Sequence, residues 1–292
     1  MRSFPEGRLE RLRQIGRLFQ RTFIASYEHN VLGTAKGVAY SALLAFFPVL
    51  TSVTALLVQA NATSVSRILS TLIFQVVPPG TEEIVYYNFT ERGQRPLYLL
   101  ILAGLLSLYA ASGLMMTLMQ GFRHAYGIRN GRSFWRERGM AAALVFAAAI
   151  PIVAASGLIV FGNRFERMVF TRIGVLPEGE QLKGWVSFIG QLARYGIALG
   201  AIAAGTALLY YLAPNRVQRL RYVWPGTFLA IGLWWVATTG FAFYVRNIAN
   251  YNVLYGSIGA VVALLVWMYL LSVIALFGCE FNARLEIFRF RR

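Results

Sequence analysis

The chain has 292 residues, 57% of them hydrophobic and only 14% charged, with a mean hydropathy of +0.55. A soluble domain of this length carries about 25% charged residues, so a water-soluble globule is excluded. The net charge of +16 comes from 28 basic and 12 acidic residues. The bases fall mostly between apolar runs, which makes anionic lipid headgroups, and not nucleic acid, the expected partner.

Residues 1–36 form a basic tail with seven Lys or Arg. It is too long and too polar for the start of a cleavable signal, so the chain is expected to stay in the membrane uncut. Within it, RLRQIGRLFQRTFIA sets Leu12, Ile15, Phe19 and Phe23 at helical spacing, with Arg13, Arg17 and Arg21 in a second stripe. That pattern fits an interfacial helix, or a helix packed over the mouth of a bundle.

The first apolar run covers 37–59 and contains Tyr40, Ser41, Pro48, Thr51, Ser52 and Thr54. Pro48 removes a helical donor, and the hydroxyls can satisfy neighbouring carbonyls. Residues 64–80 are amphipathic but too short to span, and read as an external or re-entrant helix ending at Pro78–Pro79. The second run, 97–120, carries Ser107, Tyr109, Ser112 and Thr117. A polar seam between the first two runs follows, serving either local hydroxyl–backbone bonding or a substrate.

The third run is 140–162 and the fourth 185–213. The fourth holds Arg194 about 13 Å along the helix from Trp185, where it is an interfacial anchor, a structural clamp or part of an anion path. Gly196, Gly200 and Gly205 form a small-residue strip suited to close helix contact. The fifth run is 222–245 and the sixth 253–279. Each of the six exceeds the ~20 residues that cross a hydrocarbon layer.

The link NIANYNVLYGSIGA, with Asn250, Tyr255, Gly256, Ser257 and Gly259, reads as a tight junction first and a transport mouth second. After the sixth run, Glu280 and Arg284 stand one helical turn apart and can pair at the interface. Asn282 lies between them. Cys279, the sole cysteine, reads as a small packing residue.

Counting Lys and Arg between spans gives 19 on the side of both termini and eight on the other. The positive-inside rule then places both termini in the cytoplasm. The fold class is all-α: a polytopic bundle of six transmembrane helices with amphipathic accessory helices. The division is a tail at 1–36, an integral membrane domain at 37–281 and a second basic tail at 282–292.

Two His, no Asp and one Cys leave little for metal or nucleophilic chemistry, and nucleotide-binding spacings are absent. The expectation is a protein that is not an enzyme and needs no cofactor. Three passages carry a resemblance: GVAYSALLAFFPVLTSVTALL (37–57), LLYYLAPNRVQRLRYVWPGTFLAIGLWW (208–235) and YNVLYGSIGAVVALLVWMYLLSVIALFGCEFNARLE (251–286). Together the chain resembles the YihY/BrkB membrane-protein family, whose members have carried ribonuclease, virulence and export labels. The resemblance implies a six-helix protein of the bacterial inner membrane. A transporter or exporter of a lipid or small solute is the functional expectation, with a non-catalytic scaffold or envelope-assembly factor as the alternative.

Overall fold

A computed structural model describes residues 6–59, 97–129, 131–172, 184–247 and 258–290. Seven α-helices are described: α1 (Glu6–Glu28), α2 (Val31–Gln59), α3 (Leu97–Ala125), α4 (Phe134–Arg172), α5 (Gly184–Leu212), α6 (Trp224–Asn247) and α7 (Gly259–Phe290). A single 3-10 turn, Leu220–Tyr222, precedes α6, and no strand occurs among the described residues. Six of the helices, α2 to α7, are long and apolar enough to cross a membrane. The chain is a polytopic helical bundle, as its hydropathy requires. The expected accessory helix at 64–80 and the link residues Asn250, Tyr255, Gly256 and Ser257 lie outside the described residues.

Neighbouring helices pack as α2 on α3, α3 on α4 and α4 on α5, while α7 touches α1, α2, α3 and α6. The apolar core gathers toward the end where α1 meets the C-terminal half of α7. Met119, Phe122, Leu144, Tyr210, Val223, Leu276 and Cys279 are buried there. We call this the basic end. Its helices close together because small residues face one another, among them Ala35, Ala141, Ala207, Ala230 and Ala283.

The elbow between α1 and α2 is local chemistry. Asn30 adopts φ 52°, which suits a short polar side chain, and its Oδ1 accepts the Gly33 N–H at 3.2 Å. One residue thus ends α1 and caps α2. α1 buries Leu18, Thr22, Ala25 and Ser26, the i, i+4, i+7, i+8 face, and packs against α7. Ile15, Phe19 and Phe23 stay exposed, although Phe19 meets Phe281 with ring centroids 5.2 Å apart.

One expectation changes. The small-residue strip of α5 is not a continuous contact: nothing lies within 4 Å of a Cβ placed on Gly196 or Gly200. Of the three, and among the described residues, Gly205 alone faces a neighbour, Pro151 of α4. Close backbone approach occurs instead between α6 and α7. A Cβ on Gly226 would overlap the Gly278 carbonyl oxygen, and one on Gly278 would stand 2.5 Å from Tyr210 Oη. The helix after the sixth run also continues past 282 to Phe290, burying Asn282, Ala283 and Glu286.

Candidate functional site

At the basic end, charged side chains from three helices, α3, α4 and α7, and from the α1–α2 and α5–α6 connections converge. Glu280 of α7 is fully buried and accepts from both sides: His29 Nδ1 lies 2.9 Å from Oε2, and Arg284 Nε donates to Oε1 at 2.8 Å. The i,i+4 partner was legible in the sequence; His29 was not, being 251 residues away. Arg216, in the α5–α6 connection, donates to Glu286 Oε1 at 2.8 Å and lies over the Tyr126 ring at 4.6 Å. Burial pushes the Tyr126 phenol well above its usual pKa, and the Glu286 carboxylate adds to the effect. A third pair joins Arg123 of α3 to the buried Glu137 of α4.

Helix ends at this site are completed from elsewhere in the chain. Asn282 Oδ1 accepts the Gly226 N–H at 2.6 Å, and its Nδ2 donates to Val223 O at 2.9 Å, so α7 caps the start of α6. The last carbonyls of α5 are covered likewise. Gln218 Nε2 donates to Tyr210 O at 2.6 Å and Tyr211 O at 3.0 Å. Arg132 donates to Leu212 O at 3.0 Å, which also sets a cation against the negative end of the α5 dipole. Tyr210 Oη donates to Ala275 O at 2.8 Å.

Cavities open beside this network. One of about 460 Å³ is lined by His29, Tyr126, Arg216, Arg284 and Glu286. A second, about 480 Å³, lies between Arg21, Glu28 and Arg284, and a third, about 600 Å³, lies between Glu28, His29, His124 and Arg129. Shared residues make them neighbours: His29 belongs to the first and third, Arg284 to the first and second. Their linings hold four Arg and two His against two Glu, which favours an anionic occupant. Among the described residues no three His, Cys, Asp or Glu side chains are arranged to hold a metal ion.

The other sequence candidates are scattered. Arg194 is buried, and its Nε donates to Gly190 O at 3.4 Å, one turn back in its own helix. Tyr40 is exposed, Ser41 and Pro48 are half-buried in α2, and Gly259 is buried at the start of α7. Across the α2–α3 seam, Ser52 Oγ donates to Ser107 Oγ at 3.2 Å. Four seam hydroxyls bond within their own helices: Thr51 to Phe47 O, Ser107 to Gly104 O, Ser112 to Tyr109 O and Thr117 to Gly113 O. Tyr109 has a partner that spacing did not suggest. Arg138 of α4 lies over its ring at 4.1 Å.

Comparison with known proteins agrees with this architecture. The chain is 32% identical over 205 residues to the ribonuclease-like protein YfkH of Bacillus subtilis, covering 70% of this chain and 71% of that one. A UPF0761 membrane protein of Alteromonas mediterranea is 25% identical over 261 residues, 88% of this chain and 84% of its own length. Another from Aromatoleum aromaticum is 26% identical over 283 residues, 94% of this chain but 64% of that longer protein. No solved structure matches the chain. The sequence model described as Virulence factor BrkB matches residues 23–291, nearly the whole six-helix bundle with its charged junction, and the chain therefore belongs to the YihY/BrkB family of membrane proteins.

Proposed function

We propose that the protein is a transporter or exporter of a lipid or small solute in the bacterial inner membrane, with the basic end in the cytoplasm. The observation that carries this reading is the group of adjoining clefts beside the buried Glu280 network, with Arg and His side chains in their linings. A guanidinium has five N–H donors, and Arg216 and Arg284 each give one to a carboxylate, which leaves others for a ligand. The basic surface orients the bundle by the positive-inside rule. It also gives α1 a role: Arg13, Arg17 and Arg21 lie exposed beside Ile15 and Phe23, a pairing suited to anionic headgroups above an acyl layer.

The purified protein in sealed liposomes tests the reading. Movement of a fluorescent phospholipid or an entrapped organic anion should exceed that of empty liposomes under at least one imposed ion gradient. No movement of either probe, with the protein inserted and folded, refutes transport and leaves a scaffold in its place.

A further inference from the structure

Arg138 carries the inference. Its Nη2 donates to Tyr109 O at 3.0 Å, its Nη1 lies 3.2 Å from Met116 Sδ, and its guanidinium covers the Tyr109 ring. Those partners fix its depth. In the Ile101–Ala125 span, Tyr109 lies about 12 Å from one end and Met116 about 13 Å from the other, at ~1.5 Å per residue. The guanidinium touches both, so it reaches from the start of the Phe134–Leu158 span to near the middle of the α3 span. No carboxylate among the described residues pairs with it. A cation within an apolar span is costly to hold there, and such residues mark ligand pathways.

The surroundings point to the ligand. Tyr109 is 68% exposed although it lies mid-span, and Tyr98, Leu102, Leu105 and Leu106 continue an exposed face along α3. A free aqueous anion at Arg138 would be stranded against hydrocarbon. A phospholipid would not be, because its acyl tails belong on that face while its phosphate meets the guanidinium. Ser112 Oγ donates to the same Tyr109 carbonyl at 2.7 Å and so helps hold that acceptor in place.

We propose that the α3–α4 seam binds the anionic headgroup of a membrane phospholipid, with Arg138 as its phosphate ligand. This deepens the transport reading by naming the substrate class, but headgroup binding is measured without any translocation. The probe is a nanodisc of equal phosphatidylglycerol and phosphatidylcholine around the full chain, with retained lipid counted by native mass spectrometry. The wild type should retain phosphatidylglycerol about tenfold more strongly than Arg138→Leu, the scale of a charge-assisted bond. Arg138→Lys, which keeps the charge but not the fork, should fall between them. Equal retention by all three overturns the proposal.

A photo-crosslinking residue at Leu105, with Arg138 intact, covers the case in which the Leu variant fails to fold. Adducts dominated by phosphatidylglycerol support the site, and equal adducts of both lipids overturn it. Displacement of the adducts by excess inorganic phosphate overturns the lipid assignment in favour of a soluble anion. A change of oligomeric mass in Arg138→Leu with lipid retention unchanged overturns it in favour of a contact between copies. Arg138-dependent retention together with silent liposomes would leave this site standing and remove transport.

Discussion

A methyl group on Gly226 would overlap the Gly278 carbonyl oxygen and stand 2.5 Å from Asn282 Cγ. Neither neighbour is the loose end of a flexible side chain, so Gly226→Ala forces α6 and α7 apart. Overpacking of this kind costs about 1–3 kcal/mol. Separation also strains the Asn282 bond to the Gly226 N–H, and a buried donor left without a partner costs about 1–3 kcal/mol more. Alanine returns about 1 kcal/mol through helix propensity. The net loss is about 1–5 kcal/mol, or a fall of roughly 2–20 °C in Tm at 2–4 °C per kcal/mol. Gly196→Ala is the matched control, because nothing lies within 4 Å of its Cβ and only the propensity gain applies. Heating both variants in detergent and measuring the monodisperse fraction by size exclusion gives the two midpoints. A Gly226→Ala midpoint equal to or above that of Gly196→Ala would refute the close crossing.

Glu280→Gln removes the charge that holds His29 and Arg284, both about a quarter exposed. The loss is therefore about 2 kcal/mol, below the 3–5 of a fully buried pair, and trypsin should cut at the arginines of α1 faster than in the wild type. Arg194→Leu should insert normally and melt a few degrees lower, with transport per inserted molecule unchanged; selective loss of anion transport would instead place Arg194 on the path. Tyr126 keeps its proton in the folded state above pH ~10, where the unfolded phenol ionises, so the unfolded state binds fewer protons there. Stability should thus be insensitive to this group below pH ~10 and decline above it by up to ~1.4 kcal/mol per pH unit. Tyr126→Phe should flatten that alkaline decline in Tm, and an unchanged slope would exclude the assignment.

The spans were legible because hydropathy is a local property of consecutive residues, and the same holds for Glu280–Arg284, an i,i+4 pair. His29 was not, since nothing near it in sequence indicates a carboxylate 251 residues away. Glycine spacing misled for a physical reason. Gly196 and Gly200 have the interval of a helix-contact motif, yet among the described residues nothing lies within 4 Å of a Cβ on either. The actual crossing uses Gly226 and Gly278, single glycines on different helices, which no period within either helix reveals. Arg138 was counted among the bases of a connecting segment because the apolar run was drawn from 140, whereas α4 begins at Phe134. Six residues of helix, polar by composition, moved a charge from the interface into the bundle.

Asn282 has a consequence for the order in which the molecule is completed. It lies on α7, the last described helix to leave the ribosome, yet it closes the start of α6 and sits two residues from the carboxylate that holds His29 at the end of α1. Spans made earlier can insert one by one, but α1 has no carboxylate to grip and α6 no cap until α7 arrives. Assembly of the basic end is thus postponed until α7 has been made. A chain stopped at Cys279 should insert all six spans and still leave α1 undocked, a half-finished state that quality-control proteases can distinguish from the finished protein.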